Sequence, residues 1–303
     1  MIGLTMRHLR YFDALAQQGH FGRAAEACGI SQPALSLQIQ ELEAILGAPL
    51  VERGARQIRL TTLGETFAER VRDILRSVEE LGDLARASFS PLAGRLRIGV
   101  IPTVAPYMLP RVIKELTERY PSLDVRPREA VTQKLIADLA EGRIDAAIVA
   151  LPISEPSLAE YALFEEEFVL VRPQEDAGKP VPSSEKLKEM RLLLLEEGHC
   201  FRDQALSFCN LSPSVARDMM EGSSLSTLVQ MVGAGIGVTL IPQMAAPVET
   251  RSAAVSIARL AEPRPSRAIG MVWRRTNPLS GQLAHIAERV REIVVDEPPS
   301  PKL

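Results

Sequence analysis

Hydrophobic positions follow a helical repeat near the start of the chain and a strand–helix alternation further on. Apolar side chains recur every three or four residues in 6–17 and in 35–46, which predicts amphipathic helices. After residue 95, short apolar runs predict strands at 96–101, 123–129, 146–151, 167–171, 192–195, 238–241 and 269–273. Segments with helical periodicity predict helices at 106–120, 132–141, 224–233 and 279–294. Strands separated by helices are typical of parallel α/β sheets.

The same pattern predicts the division of the chain into domains. We interpret segments 152–166 and 262–268 as crossings between two subdomains that enclose a cleft. The predicted fold is an α/β effector domain of two subdomains, with an N-terminal all-α winged helix-turn-helix and a linker helix. The predicted ranges are 1–64 for the DNA-binding domain, 65–90 for the linker and dimerisation helix, and 95–303 for the regulatory domain. Subdomain I comprises 95–165 and 267–303, and subdomain II comprises 166–266.

A helix-turn-helix is predicted from the turn chemistry between two short helices. Gly29 closes the turn, Ser31 is placed to cap the second helix, and Pro33 falls in its first turn, where a missing N–H costs little. The outer face of this second helix carries neutral side chains able to read base edges in a major groove. These side chains are Gln32, Ser36, Gln38 and Gln40.

Residues 51–64 have a strand–turn–strand pattern with arginines at three-residue spacing, Arg53, Arg56 and Arg59. Such a loop is either a solvated turn or a wing whose cations meet DNA phosphates. Directly after a helix-turn-helix, we favour the wing and assign Arg53 and Arg56 to phosphate contact.

A heptad of apolar residues follows the wing and predicts a dimerisation helix. Residues 1–90 contain ten arginines, no lysine and eleven acidic residues, so this region is not basic and we expect a dimer to supply affinity. Burial of the heptad against its own domain is the alternative to a coiled coil. The heptad positions are Phe67, Val71, Ile74, Val78, Leu81 and Ala85.

Overall composition indicates the cellular compartment of the protein but not its activity. The chain has 303 residues and a net charge of −3, which do not by themselves indicate a nucleic-acid binder. We find no secretory signal and no apolar run of the ~18 residues that a membrane span needs. Because the chain has only three cysteines and no export signal, we expect the protein in a reducing cytoplasm. Because no apolar run is long enough to span a membrane, we expect no membrane partner. No cofactor and no metal site are predicted.

The stretch from residue 198 to 210 contains two of the three cysteines, Cys200 and Cys209. If residues 200–209 form one helix, the two lie ~13 Å apart along its axis. A disulfide tolerates a Cα separation of only about 4.4–6.8 Å. The pair is therefore either two unrelated structural thiols or a switch whose closure changes the local backbone. Cys28, in an alanine-rich helix, is interpreted as a packing residue.

The surroundings of Cys200 favour a reactive thiol. It follows a buried strand and opens a predicted helix, with His199 and Arg202 as neighbours in sequence. Helix starts and adjacent cations favour the thiolate, which is the form that attacks peroxide oxygen. A sulfenic acid formed there could condense with Cys209 if the helix unwinds.

The segment 21–46, the wing ending in Leu-Thr-Thr-Leu-Gly at 60–64 and the linker helix together resemble the LysR-type transcriptional regulators. The resemblance implies a winged helix-turn-helix, a dimerising linker helix, an effector domain built like a periplasmic binding protein, and usually a homotetramer. It also assigns DNA contact to Ser31, Gln32, Pro33, Ala34, Ser36, Gln38 and Arg53.

The two-cysteine stretch, the Ile-Pro-Thr-Val at 101–104 and residues 263–273 resemble the peroxide-sensing members of that family. The resemblance implies that Cys200 is the peroxide-reactive thiol and that Cys209 is its disulfide partner. It also places Thr103, Thr132, His199, Asp203 and Arg267 as peroxide-pocket or activating groups, to which we add Arg202.

The expected function is a hydrogen-peroxide-sensing transcriptional regulator rather than an enzyme. Its expected partners are double-stranded DNA with palindromic promoter sites, other copies of the chain and RNA polymerase. One alternative is a LysR-type regulator that responds to a small metabolite in the cleft and has structural cysteines. Another is a thiol peroxidase, which would use the same cysteine pair but has no need of a helix-turn-helix.

Overall fold

The computed structural model describes residues 3–52, 58–89, 94–183, 186–187, 190–209 and 220–296. The chain forms two compact units, Met1–Ala85 and Arg86–Leu303. Within the described ranges, no helix is both long and apolar enough to cross a membrane.

The first unit is a helical bundle with a small strand pair. Its core contains Leu9 and Phe12 from the first helix and Leu35, Ile39 and Leu42 from the third. The predicted helix-turn-helix is confirmed, because the second and third helices are joined by a short turn through Gly29 (φ +66°). The elements are α1 (Met6–Gln18), α2 (Phe21–Ala27), α3 (Gln32–Leu46), β1 (Val51–Glu52), β2 (Arg59–Leu60) and α4 (Thr62–Phe89).

The strand pair is fixed to α3 by one buried carboxylate. Glu43 Oε1 accepts hydrogen bonds from the backbone amides of Leu50 (2.8 Å) and Val51 (3.1 Å). Gly64 passes so close to this strand that a Cβ there would lie 2.1 Å from Leu50 O, which requires glycine. The antiparallel pairing of β1 and β2 confirms the strand–turn–strand prediction at both ends. Arg53 and Arg56 lie outside the described residues.

The apolar seam of α4 has two parts. Phe67 and Val71 pack into the core of the first unit. By contrast, Ile74, Val78 and Leu81 are 43%, 39% and 65% exposed. Intradomain burial therefore explains the first two positions, and the next three remain available to a partner helix. The side chain of Ala85 is outside the described part of the structure.

In the second unit, the described strands form a nine-stranded mixed sheet with helices packed against it. Eight strands follow the order β4-β3-β5-β11-β6-β9-β7-β8, and β10 pairs with β6. The strands are β3 (Gly94–Val100), β4 (Leu123–Glu129), β5 (Ala146–Leu151), β6 (Leu158–Pro173), β7 (Leu192–Leu195), β8 (Glu221–Gly222), β9 (Val238–Pro242), β10 (Val255–Arg259) and β11 (Ser266–Arg274). The helices are α5 (Ala105–Arg119), α6 (Thr132–Ala140), α7 (Cys200–Phe208), α8 (Leu225–Gly233), α9 (Ala246–Glu249) and α10 (Ser280–Asp296).

The prediction of a wholly parallel sheet is wrong at the centre of the molecule. Segment 152–166, interpreted as a crossing, largely belongs to β6, a 16-residue strand that continues through the predicted strand 167–171. It pairs antiparallel with β11, β9 and β10, and β11 pairs antiparallel with β5. The error arose because the first half of β6 has no regular alternation of apolar and polar residues: residues 161–164 are all apolar and residues 165–167 are all acidic, so periodicity does not indicate a strand there.

Two hydrophobic cores divide the second unit into lobes. We call lobe I the core built on β3, β5 and α10, and lobe II the core built on β7, β9 and α8. Strands β6 and β11 join the lobes, since β6 pairs with β11 along its first half and with β9 and β10 along its second. Tyr107 on α5 packs against both cores, and its hydroxyl donates a 2.6 Å hydrogen bond to Glu249 on α9.

Candidate functional site

Helix α7 carries the two cysteines at its two ends. Cys200 is its first residue and Cys209 directly follows its last, so the two cysteines are nine residue positions apart. Gly198 turns the chain from β7 into this helix with a φ of +98°, which favours glycine. Both cysteines are thiols. The helix that the sequence indicated after residue 199 is present, and its length places Cys200 and Cys209 ~13 Å apart along the axis.

Cys200 borders a cleft of about 550 Å³ that both polar and apolar side chains line. The buried Oγ1 of Thr132 and the buried Oε1 of Gln204 face no hydrogen-bond partner among the described residues. A small molecule with O–H groups could satisfy both atoms. The lining comes from α6, from the end of β5 with the loop after it, and from the first turn of α7. It comprises Thr132, Gln133, Ile136, Ala150, Leu151, Pro152, Ile153, Glu155, Cys200, Asp203 and Gln204.

A buried guanidinium supports the first turn of α7. Arg267 on β11 donates to Glu166 Oε2 (2.8 and 3.0 Å) and to Thr103 Oγ1 (2.9 Å). Its guanidinium carbon also lies 5.3 Å from the centre of the Phe201 ring, a cation–π distance. Arg267, Glu166 and Thr103 therefore form one buried network directly behind the residue that follows Cys200.

Glu166 is the only acid that Arg267 contacts among the described residues. Burial raises the pKa of the Glu166 carboxyl above its ordinary value, and the Arg267 guanidinium with the Met244 amide opposes this rise. The Met244 amide donates to Glu166 Oε1 at 3.0 Å. Both carboxylate oxygens are thus hydrogen-bonded, which makes a buried charged pair tolerable.

The remaining predicted pocket residues do not all lie on the cleft. Asp203 lines it, but Arg202 turns away and donates to Leu195 O (2.8 Å) and to Glu221 Oε1 (2.5 Å). His199 precedes α7 without capping it through its side chain. Burial lowers the pKa of His199, while Glu196 and Glu129 act to raise it, so the neutral imidazole predominates at pH 7.

The end of α7 that carries Cys209 lies in the lobe II core. Cys209 has no exposed surface and belongs to the lobe II core, together with Ala205 and Leu206 of the same helix. Its backbone amide donates to Ala205 O at 3.1 Å. The residues that directly follow it, 210–219, are outside the described ranges.

Sequence reasoning missed three residues of this site: Glu166, Phe201 and Gln204. Glu166 stands between Glu165 and Glu167, and only Glu166 is buried. A strand register that keeps Phe168 on the inner face also keeps Glu166 there, because alternate residues share a face. In the described ranges, no cluster of three or more His, Cys, Asp or Glu residues could hold a metal ion.

The first unit presents the predicted DNA-contacting residues on one end of α3. Ser31 caps the helix by accepting from the Ala34 amide (3.4 Å), as predicted. Ser31, Gln32, Pro33 and Ala34 are exposed, and Ser36 and Gln38 are partly exposed. The Gln38 side chain donates to Glu41 (2.8 Å), which orients it along the helix surface.

Two family models account for nearly all of the chain. Residues 6–65 match the bacterial regulatory helix-turn-helix protein of the lysR family, and residues 90–294 match the LysR substrate binding domain. The chain belongs to the LysR family. Its fold is therefore that of a LysR-type regulator, with an N-terminal helix-turn-helix and a periplasmic-binding-protein-like α/β domain.

Individual LysR-type relatives match along their full length. A probable hydrogen peroxide-inducible genes activator from Streptomyces viridosporus is 42% identical over 298 residues, covering 97% of this chain and 96% of the relative. A full-length Pseudomonas aeruginosa OxyR with a cysteine-to-aspartate substitution is 35% identical, with a TM-score of 0.73 and 95% coverage of both chains. A hydrogen-peroxide-bound cysteine-to-serine mutant of Corynebacterium glutamicum OxyR is 33% identical, with a TM-score of 0.65 and coverage of 99% and 97%.

Proposed function

We propose that this LysR-type protein is a hydrogen-peroxide-sensing transcriptional regulator switched by a reversible Cys200–Cys209 disulfide. The observation that carries the proposal is the placement of the two thiols on α7. One borders a cleft and the other is buried in a core at the far end of the same helix. The relatives named as peroxide-inducible activators and OxyR support the choice of peroxide as effector.

The chemistry proceeds in two balanced steps. The Cys200 thiolate attacks one oxygen of hydrogen peroxide, the O–O bond breaks, and a sulfenic acid forms while hydroxide leaves and takes up a proton as water. The Cys209 sulfur then attacks the sulfenic sulfur, the S–S bond forms, and the sulfenic oxygen leaves as a second water. Two thiols lose two electrons in total, and one peroxide gains them.

The second step requires a local change in backbone conformation. A disulfide needs Cα atoms within about 4.4–6.8 Å, but α7 holds the two residues ~13 Å apart. Closure therefore requires α7 to unwind and Cys209 to leave the lobe II core. Thr103, Thr132, His199, Asp203 and Arg267 are proposed to bind peroxide or activate the thiol. Arg202, which bonds to Leu195 and Glu221, instead serves to hold the reduced position of α7.

The DNA-binding side of the proposal rests on the first unit. We propose that α3 reads palindromic promoter DNA through Ser31, Gln32, Pro33, Ala34, Ser36 and Gln38, and that Arg53 and Arg56 contact phosphates. The exposed Ile74, Val78 and Leu81 are proposed to form a dimer seam along α4. A homotetramer, a cytoplasmic location, contact with RNA polymerase and the absence of enzymatic turnover complete the proposal.

Mass mapping after mild oxidation tests this function. The fully reduced protein is exposed to sub-stoichiometric hydrogen peroxide, alkylated and digested. We expect a peptide pair linked through Cys200 and Cys209, and no such pair in Cys200→Ser. The variant Cys28→Ser, a control at the third cysteine, should form the link normally.

Two outcomes would overturn the assignment. If the oxidised protein contains no Cys200–Cys209 bond, the result would favour a LysR-type regulator that responds to a metabolite. Sustained peroxide consumption with a thiol reductant, at rates far above one turnover per molecule, would indicate a thiol peroxidase.

A further inference from the structure

Leu37 is the large apolar side chain of α3 that the fold leaves in solvent. It is 64% exposed, whereas Leu35 and Ile39 on either side of it are 0% and 1% exposed. A two-residue step turns an α-helix by about 200°, so the buried pair and Leu37 point in opposite directions. Leu37 therefore stands on the outward face of α3, away from the core of the first unit.

The neighbours of Leu37 on this face define an apolar strip. Pro33 lies one turn before it and Ala34 beside that proline, and both are exposed. Gln40, one turn later, is exposed and polar. Residues four apart on a helix share a face, so Pro33 and Leu37 together form a continuous apolar contact surface near the helix start.

The helix that carries this strip is the second helix of the helix-turn-helix matched by the LysR family model. Such a helix lies in the major groove, with residues of its N-terminal half facing base edges. The apolar group that a base pair presents there is the 5-methyl of thymine; the other edge atoms are hydrogen-bond donors and acceptors. A leucine offers neither donor nor acceptor and gains only from contact with that methyl.

We propose that Leu37 is a specificity-determining residue that contacts a thymine 5-methyl group in the major groove. This rests on the proposed DNA-binding function. Leu37 thereby selects a T·A pair at one position of each half-site, while Gln32 and Ser36 read adjacent edges by hydrogen bonding. A cytosine methylated at carbon 5 presents the same group and can substitute for thymine in this contact.

The test begins with the DNA that the protein itself selects. The full-length protein is used to enrich binding sequences from random duplex DNA, and each thymine of the selected duplex is replaced in turn by deoxyuridine, which lacks only the methyl. Binding is measured by fluorescence anisotropy at one fixed salt concentration, because phosphate contacts make affinity salt-dependent.

We expect deoxyuridine at one thymine per half-site to weaken binding of the wild-type protein by about fourfold. This change in Kd corresponds to the free energy of burying one methyl group. In Leu37→Ala the same replacement should have no effect. Alanine is the best helix former, so this variant keeps α3. Val248→Ala, which truncates an exposed valine (58%) in the second unit, should retain the wild-type response to deoxyuridine.

The outcomes separate this proposal from the one on which it rests. If no sequence is enriched, sequence-specific DNA binding fails, and the role of Leu37 fails with it. If a sequence is enriched but no thymine is sensitive, or if Leu37→Ala shows the same loss as wild type, only the Leu37 assignment is overturned. A change in oligomer mass in Leu37→Ala, without a change in thymine sensitivity, would place Leu37 in a contact between copies of the chain instead.

Discussion

At its first residue, α7 places Cys200 beside an open cleft, whereas just past its last residue it places Cys209 in a core with no exposed surface. The first end is supported by polar contacts, through Phe201 on the Arg267 guanidinium. The far end is supported by apolar packing in lobe II. Under the proposed function, the two ends have separate tasks: reaction with peroxide would depend on the surroundings of Cys200, and the rate of disulfide closure would depend on how firmly the Cys209 end is packed.

The largest effect is expected at the polar end, from Glu166→Gln. This change leaves the buried Arg267 without its counter-charge, and breaking a buried pair costs about 3–5 kcal/mol of unfolding free energy. Urea unfolding of the reduced protein, followed by fluorescence of the single tryptophan, Trp273, measures it. Glu167→Gln removes the partly exposed partner of Arg264 and should cost about 0–1 kcal/mol. Equal losses in the two variants would show that the Arg267 network does not support this end.

At the apolar end, Leu206→Ala should lower the free energy of unfolding by about 2–5 kcal/mol, since it removes buried methyl groups from the lobe II core. The proposed switch adds a second expectation: the loosened helix releases Cys209 more readily, so disulfide formation after peroxide addition becomes faster. Quenched alkylation at timed intervals measures that rate. Ser207→Ala, exposed on the same helix, is the control and should leave both quantities near wild type. A Leu206→Ala protein that is destabilised but closes no faster would contradict the need for unwinding.

Thr132→Val is expected to have a smaller effect on the free energy of unfolding, and to raise it where the two preceding variants lower it. The Thr132 hydroxyl is buried without a partner in the described structure, so its replacement by a methyl should stabilise the reduced protein by up to about 1 kcal/mol. If the hydroxyl binds peroxide, oxidation of Cys200 should nevertheless become slower. Thr239→Val is the matched control, because that hydroxyl donates to Leu193 O (2.9 Å). It should destabilise the protein without slowing oxidation, and an unchanged oxidation rate in Thr132→Val would remove this residue from the pocket.

The smallest effect concerns pH. Because burial lowers the folded-state pKa of His199 below its ordinary 6.5, the unfolded chain takes up the proton first as pH falls. Stability from this group is therefore complete above about pH 6.5 and is lost at lower pH. His199→Gln should reduce the loss of unfolding free energy between about pH 7.5 and 5.5. Glu196→Gln removes a carboxylate that raises this pKa and should enlarge the loss; a shift in the opposite direction would contradict the assigned cause.

Local patterns in the sequence were sufficient for the helices and for the position of the cysteines. The α3 cap at Ser31 and the nine-residue α7 both depend on interactions within a few residues of each other, which spacing alone reveals. The arrangement of residues on the face of α3 that is proposed to contact DNA follows from the same helical periodicity.

Contacts between distant segments were not predictable in this way. Arg202 is near Cys200 in sequence, yet its guanidinium bonds to β7 and β8, because the helix directs it to the face opposite the cleft. Glu166 is one of three consecutive acids, and its role follows only from the register that brings β6 beside Arg267 on β11. The pairing of β6 with three other strands depends on chain crossings that periodicity does not encode.

Strand β6 contributes to the cores of both lobes and pairs with β11, with Glu166 and Arg267 paired near the passage from one lobe to the other. Neighbouring strands in a sheet are twisted relative to each other, and a change in this twist would change the angle between the lobes. We therefore expect the two lobes to rotate about the strand direction, each nearly as a rigid body, and not to open by a hinge motion. A local rearrangement at α7 would in that case reach a partner chain as a change in angle, with the cleft keeping nearly its original width.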